Sequence, residues 1–201
     1  MRLTEQQKSA KQRCEWLKQS LQNNLVPAFI DRGFEVAPPL PMLAPVDREF
    51  VQCFPTWGRL RRFRGSNVDL VEIQLAAYRR AAFRINAGVA PKDGVVTHTG
   101  RQAADQGSVH MLEESFETHA RPLLRPLLRA LGLEPLWAWF SVRDRLFRSP
   151  VRDDFEKLSL KAVSLIPELE LALRDGRTGP HVRRIVLPWS LRPRLRAIEP
   201  R

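Results

Sequence analysis

The sequence predicts an α+β fold: an antiparallel sheet with a central β-hairpin meander, packed against an N-terminal and a C-terminal amphipathic helix. Residues 68–75 and 83–89 alternate apolar and polar side chains around a short, arginine-bearing connection, which is the pattern of a β-hairpin. Near both ends of the chain, apolar residues recur every three or four positions, as on the buried face of a helix. The 16 prolines indicate many irregular connections between these elements.

The register of the hairpin follows from its apolar residues. Every second residue is apolar from Val71 to Leu75 and again from Phe83 to Val89. Both apolar rows meet one core only if the connection has an odd number of residues. Three residues would pair Ile73 with Phe83, and five would pair Ile73 with Ile85. In either register the opposite face gathers four polar residues: Glu72, Gln74, Arg84 and Asn86.

The N-terminal helix is predicted to begin after Thr4, which is a typical N-cap residue. Pro27 is expected to kink or restart this helix, because proline lacks a backbone donor and clashes with the preceding turn. Gly33 is expected to end it in the left-handed conformation, with Phe34 as the hydrophobic contact.

The C-terminal helix is predicted to be capped by Asp153 or Asp154, to be interrupted at Pro167 and to end at Asp175–Gly176. A strand is expected over residues 57–64, closed by a turn at 65–67. It would make three consecutive antiparallel strands, with the arginine-rich strand at an edge of the sheet or next to it. The remaining expected elements are a strand at 50–54, a weak helix at 111–117, a helix starting near Pro126 and a strand at 137–142.

Length and composition indicate one domain over residues 1–185, followed by an arginine- and proline-rich tail at 186–201. The hydrophobic fraction of 43% and the charged fraction of 27% are those of a soluble globular protein. No apolar run reaches the length of about 18 residues that spans a bilayer, and no secretory signal is recognisable. A cytoplasmic protein without membrane contact is therefore expected.

The chain is basic, with a formal net charge of +11, and arginine outnumbers lysine 27 to 6. Biased genome composition explains such a skew as well as a selected binding surface does, so charge alone indicates non-specific affinity and not function. The two cysteines, Cys14 and Cys53, form neither a metal-binding pattern nor a redox pair.

A family resemblance rests on the order of several short motifs. Gly33-Phe34 ends the first helix, Trp57-Gly58-Arg59-Leu60 leads into the sheet, and Val71–Gln74 is followed by Phe83–Gly88. Ile166–Glu170 and Gly179–Arg184 come near the C-terminus. This order resembles the bacterial family catalogued as domain of unknown function 4304, over most of residues 10–185. The resemblance implies a small cytoplasmic bacterial α+β domain without a known cofactor.

The sequence contains no glycine-rich phosphate loop, zinc-ligand spacing, nucleophile elbow or calcium loop. No cofactor and no metal are expected, and whether the protein is an enzyme stays open, with a non-catalytic role favoured. An enzyme of unknown reaction acting through Glu72, Arg84 and His181 is the weakest hypothesis. A plain cross-strand ion pair between Glu72 and Arg84, and a structural role for His181, are simpler interpretations.

Two binding hypotheses are stronger. The first is a non-catalytic protein-binding module, of immunity or adaptor type, that engages an acidic partner protein through a basic sheet face. The second is nucleic-acid binding, because the arginines of 59–64 with Trp57 and Phe63 are the residue types that contact phosphates and stack on bases, and the tail adds more arginines. A solvated edge strand explains these arginines more simply. The candidate binding residues are Glu72, Gln74, Arg84, Asn86, Arg59, Arg61, Arg62, Arg64, His181, Arg183 and Arg184.

Overall fold

Two layers build the structure: an antiparallel sheet, and helices on one face of that sheet. The computed structural model describes residues 5–38, 55–76, 80–97, 100–104, 109, 112, 114–118, 120, 139–142 and 149–185. The predicted strand at 50–54, the helix near Pro126 and the tail at 186–201 lie outside these residues. So do the cap at Thr4 and the histidines His98, His110 and His119.

The helices are α1 (Glu5–Ser20), a π-helical turn (Leu21–Leu25), α2 (Val26–Ile30), a 3-10 turn (Thr56–Gly58), α3 (Arg152–Val163) and α4 (Ile166–Asp175). The strands are β1 (Glu35–Val36), β2 (Arg59–Arg64), β3 (Asn67–Leu75), β4 (Ala82–Pro91), β5 (Val95–Thr97), β6 (Gly100–Gln102), β7 (Glu114–Thr118), β8 (Phe140–Ser141) and β9 (Val182–Ile185).

Seven of these strands form one antiparallel sheet in the order β1-β2-β3-β4-β7-β9, with β8 paired to the start of β4. Strands β5 and β6 form a separate two-stranded ribbon. The predicted α+β class, with a central hairpin meander and helices from both ends of the chain, is confirmed. The arginine-rich strand β2 lies next to the edge strand β1, as expected.

The central hairpin adopts the longer of the two predicted connections. Ile73 pairs with Ile85 and Leu75 with Phe83, which is the register of a five-residue connection. The apolar row that this register creates is buried against the helices. We call this side of the sheet the helix face and the opposite side the far face. The core on the helix face includes Leu21, Phe29, Val71, Ile73, Ile85, Phe116, Phe155 and Leu169.

Pro27 restarts the N-terminal helix instead of bending it gradually. A π-helical turn over Leu21–Leu25 precedes the proline, and the Val26 N–H donates to the carbonyl of Leu21. The wider turn accommodates a residue that cannot donate a hydrogen bond. The chain then leaves α2 through Gly33, whose φ of 81° is left-handed. The ring of Phe34 lies 5.3 Å from that of Phe29, so the predicted stop is confirmed.

The C-terminal helix is divided into α3 and α4, with Pro167 in the first turn of α4. Asp154 caps the start of α3 from inside its first turn: its carboxylate accepts a hydrogen bond from the Val151 N–H at 2.9 Å. Gly176 ends α4 in the left-handed conformation.

One predicted helix is wrong. Residues 111–117 were expected to be weakly helical, but Glu114–Thr118 form the strand β7 between β4 and β9. Phe116 points into the core of the helix face while Ser115 and Glu117 point to the far face, which is the period of a strand. Within 137–142, the strand is limited to Phe140–Ser141 among the described residues.

A buried carboxylate on the helix face of β3 binds two guanidinium groups. Asp69 on β3 is 0% exposed, and it accepts hydrogen bonds from Arg62 at 3.0 and 3.2 Å and from Arg64 at 3.0–3.3 Å. The three residues lie together because β2 and β3 pair Arg62 directly with Asp69. Hydrogen bonding to this carboxylate raises the pKa of Arg64 further above its already high value. The expectation that Arg62 and Arg64 form a solvated edge is therefore wrong.

The same arginines connect the sheet to the helices. Arg62 reaches Glu170 on α4 at 2.6 Å and the carbonyl of Arg32 after α2 at 3.0 Å. Arg64 donates to the carbonyl of Leu173, in the last turn of α4, at 2.7 Å. We call Asp69, Arg62, Arg64 and Glu170 the Asp69 cluster.

Replacing Asp69 is expected to destabilise the protein strongly. Asp69→Asn leaves two half-buried guanidinium groups without their carboxylate, and removing one partner of a buried pair costs about 3 kcal/mol of unfolding free energy. Urea denaturation followed by circular dichroism measures the change. The exposed Asp31→Asn is the control, and equal unfolding free energies for the two variants would contradict a structural role for the Asp69 cluster.

Candidate functional site

Five polar side chains form a continuous row across the far face of the sheet. The strand register pairs Arg59 with Glu72, Glu72 with Asn86, Asn86 with Glu117, and Glu117 with Arg183. Directly opposed residues have Cβ atoms about 4.5–5.5 Å apart, so each side chain neighbours the next. An amide thus lies at the centre, with a carboxylate on each side of it and a guanidinium beyond each carboxylate. We call these five residues the polar row.

The end of the polar row that lies on β2 and β3 is buried. Glu72 is 1% exposed and Arg59 is 4% exposed, and Arg59 Nε lies 3.4 Å from Glu72 Oε1. Arg59 also donates to the carbonyl of Pro38 at 2.9 Å. Burial of two charges requires such pairing, because each loses its hydration. A basic sheet face open to a partner was expected here, and at these residues that expectation is wrong.

A second pair of polar residues lies beside the polar row. Gln74 pairs with Arg84 across β3 and β4, and the Arg84 Nε–H donates to the Gln74 side-chain oxygen. Arg84 also approaches Glu117, with Nη1 3.4 Å from Oε1, and its guanidinium lies over the ring of Trp139 at 5.2 Å.

The predicted polar quartet of the hairpin is assembled as expected, but its ion pairing differs. Glu72 is paired with Arg59, and Arg84 with Glu117. The expected Glu72–Arg84 pair is not formed, because the register places Asn86 opposite Glu72 and because β7 supplies a second carboxylate.

Glu117 and Ser115 are site residues that the sequence reasoning missed, since their segment was interpreted as helical. The alternation of Ser115, Phe116, Glu117 and Thr118 is the signal that could have identified them. Burial raises the pKa of Glu117 above its ordinary value of 4.5, although nearby Arg84 and Arg183 act in the opposite direction.

A surface groove lies where β2 meets α4. Its volume is about 570 Å3. Two of its lining residues are large, exposed apolar residues: Phe63 is 52% exposed and Leu171 43%. Strand alternation directs the Phe63 side chain to the far face, so its ring lies on the β2 rim of the groove and not opposite Leu171. We define the groove by its lining residues, Arg62, Phe63, Arg64, Pro167, Glu170, Leu171 and Arg174.

Cations surround the exposed ring of Phe63. The Arg61 guanidinium lies 5.1 Å from the centre of this ring and the Lys92 ammonium 6.0 Å from it. Arg61 is paired with Glu35 at 2.7 Å. On the opposite wall of the groove, Arg174 is largely exposed and paired with Asp175. The rim therefore combines an accessible aromatic ring with positive charge.

His181 belongs to the helix layer. Its backbone N–H donates to Glu168 Oε1 at 2.6 Å, and its ring Nδ1 lies 3.2 Å from Glu168 Oε2. Both contacts hold β9 to the first turn of α4. The ring is thus engaged by Glu168, and none of its described contacts is with Glu72 or Arg84. Arg184 forms an exposed pair with Glu114.

No family model, curated protein or solved structure matches this chain. The resemblance to domain of unknown function 4304 therefore stays a prediction. Among the described residues, no group of three histidine, cysteine, aspartate or glutamate side chains is placed to hold a metal ion. In the same part of the chain, no helix combines the length and the apolarity that crossing a membrane requires.

The raised pKa of Glu117 predicts a pH dependence of stability. A carboxyl group with a higher pKa in the folded state stabilises the fold below about pH 4.5, and this contribution is lost as the pH rises through the folded-state pKa. The stability of the natural protein relative to Glu117→Gln should thus fall as the pH rises above the ordinary carboxyl pKa of 4.5.

Urea titrations at intervals of pH above this value measure the difference. Glu15→Gln, at an exposed glutamate of α1, is the control for removing a surface carboxyl group. A Glu117→Gln difference that is constant with pH, or that rises with pH, would contradict the burial of this carboxyl group.

Proposed function

We propose that this chain is a non-catalytic binding protein, of immunity or adaptor type, and that it acts in the bacterial cytoplasm. Its groove would bind an acidic segment of a partner protein that carries an apolar anchor residue. The observation that carries this proposal is the exposed ring of Phe63, placed between Arg61 and Lys92 at the rim of the groove.

The apolar walls of the groove favour a protein partner. Phe63 and Leu171 are both exposed by more than two fifths, and they line the same groove. Aromatic residues and arginine are enriched at the centres of protein interfaces, where a few side chains provide most of the binding free energy. An apolar anchor residue packed on the Phe63 ring would bury it.

The charges at the rim favour an acidic partner. Arg61 and Lys92 flank the Phe63 ring, and Arg174 lines the groove; all three are on exposed or half-exposed positions. Their present carboxylate contacts, Arg61 with Glu35 and Arg174 with Asp175, are at the surface, where ion pairs are weak and easily exchanged. The net charge of +11 would also attract an acidic partner at long range.

Nucleic-acid binding is less well supported. Arg59 is buried beside Glu72, while Arg62 and Arg64 hold Asp69. Arginines committed in this way are not available to a phosphate backbone, which must be contacted by accessible cations. The arginines of the tail lie outside the described residues.

A peptide selection tests the proposal. A random peptide library displayed on phage is selected on the purified protein, and the selected peptides are synthesised and their affinity is measured by fluorescence anisotropy. We expect peptides rich in Asp and Glu around one large apolar residue. Phe63→Ala and Arg174→Glu should each weaken binding at least about fivefold, the loss typical of a residue central to an interface.

Matched variants outside the groove are available on α3. Leu160→Ala changes a similarly exposed apolar residue, and Lys157→Glu makes a comparable charge reversal; both should bind normally. The proposal fails if no peptide is selected, if the selected peptides lack acidic residues, or if the groove variants bind as well as the controls. A single-stranded DNA oligonucleotide that binds more tightly than every selected peptide would favour the nucleic-acid alternative instead.

A further inference from the structure

The groove runs along the backbone edge of β2. Three consecutive residues of this strand line it: Arg62, Phe63 and Arg64. Successive side chains of a strand point to opposite faces of its sheet, so side chains alone would place only every second residue in a groove on one face. Because all three residues line the groove, it lies at the edge of the strand, where both faces of the sheet are within reach.

This edge is uncovered at Phe63 in the part of the chain that the structure describes. Strand β1 pairs with β2 only at Leu60 and Arg61. The residues before β1 belong to the turn at the left-handed Gly33, which ends α2. No described strand therefore lies beside Arg62–Arg64 on the side opposite to β3. One end of β2 is inside the sheet, and its other end is at the edge.

The backbone N–H and C=O groups of Phe63 point away from the sheet at this edge. The Arg59 carbonyl accepts a hydrogen bond from the Ala37 N–H at 2.8 Å, so it points to the β1 side. Every second residue of a strand presents its backbone groups to the same side, and those of Arg61 and Phe63 do so as well. At Arg61 they meet Glu35 of β1. At Phe63 no described strand meets them.

The wall of the groove on α4 combines apolar and cationic side chains. Pro167, Leu171 and Arg174 are spaced four and three residues apart, so they share one face of the helix. The ion pairs around the groove join four guanidinium groups to three carboxylates, which leaves one positive charge in surplus. These groups are Arg32, Arg62, Arg64 and Arg174, and Asp69, Glu170 and Asp175. An acidic side chain of a partner would compensate the surplus.

We propose that the acidic segment of the partner binds as an added strand along β2, paired with Phe63. The proposal rests on the groove-binding function above and specifies its geometry. Directly opposed residues on paired strands point to the same face, so the anchor residue opposite Phe63 packs on its ring. The residues before and after the anchor point to the helix face, where they meet Arg64 and Arg174.

An extended segment suits this edge better than the other possible occupants. The Phe63 ring and the α4 wall lie on different sides of the edge, and alternating side chains reach both. A helix presents one stripe of side chains and would reach only one side. A second copy that paired through the same edge would place arginine opposite arginine around Phe63, and like charges directly opposed are destabilising.

The test uses the pentapeptide acetyl-Glu-Glu-Ile-Glu-Glu-amide as the probe and the full chain as the protein. Isoleucine is the anchor, since it is apolar and favours the extended conformation. Hydrogen-exchange NMR compares the Phe63 amide with the Arg62 amide, which points towards β3. At saturating peptide, exchange at Phe63 should slow at least about fivefold, because its N–H becomes hydrogen-bonded. Exchange at Arg62 should not change.

Backbone changes in the peptide test the pairing directly. An ester oxygen in place of the isoleucine N–H removes the donor to the Phe63 carbonyl. This change should weaken binding about threefold to tenfold in an NMR titration, the effect of losing one hydrogen bond. The same change at the preceding glutamate, whose N–H points away from β2, should have little effect.

Side-chain changes test the alternation. Glutamine in place of the two glutamates that flank isoleucine should weaken binding to the natural protein about two- to fivefold. The loss should be smaller for Arg174→Gln, because these carboxylates face Arg174. Glutamine at the two outer positions should weaken binding equally for both proteins, since those side chains point to the far face. Arg152→Gln, at an exposed arginine of α3, is the control and should respond as the natural protein does.

The added strand is overturned if the pentapeptide binds more weakly than about 10 mM, if exchange at Phe63 is unchanged by bound peptide, or if both esters bind equally. A phage-selected peptide that needs Phe63 and Arg174 but leaves exchange at Phe63 unchanged would retain the groove as a binding site and overturn only the added strand. Slow exchange at Phe63 without peptide, together with a dimer in analytical ultracentrifugation, would assign the edge to a second copy instead.

Discussion

The arrangement of the sheet against its helices depends on one buried carboxylate. Asp69 lies at 0% exposure on the helix face and binds both Arg62 and Arg64, which in turn contact α4 and the end of α2. A buried ion pair adds little net stability compared with apolar packing, because both charges lose their hydration. Its effect is selective: any other register of β2 and β3 would leave a charge in the core without a partner. The cluster therefore specifies how the layers fit together.

The same strand carries a second buried acid on its other side. Asp69 and Glu72 are three positions apart on β3, so they lie on opposite faces of the sheet. Each is compensated by arginines of β2: Arg62 and Arg64 on the helix face, and Arg59 on the far face. Most of the arginine-rich segment is thus explained by internal charge compensation. The accessible part of this strand is Phe63 with Arg61, at the margin of the far face, and we therefore place the proposed binding surface at this margin and the adjoining groove.

The sequence predicts the hairpin and both helices well, because apolar periodicity and the Gly33, Pro27 and Gly176 signals act locally. The polar quartet at 72, 74, 84 and 86 also follows from strand alternation alone. The burial of Glu72 and Asn86 could not be predicted, since it depends on which segments cover the far face. The partners of the arginines could not be predicted either, because they depend on pairing between strands and helices that are distant in the chain. The strand β7 was missed because Glu114, Glu117 and Leu112 fit a helical spacing as well as a strand.

The strand order has a consequence for synthesis on the ribosome. Strand β7 pairs on one side with β4, but its other neighbour, β9, comprises residues 182–185. While the nascent chain is elongated through α3 and α4, β7 has no β9 to pair with, although the rest of its sheet is already available. The hydrogen-bonding groups along that margin are a template for other extended chains during this interval. In the finished fold α4 contacts β4 and β7. Early docking of α4 on these strands would shorten the time for which the open edge of β7 is exposed.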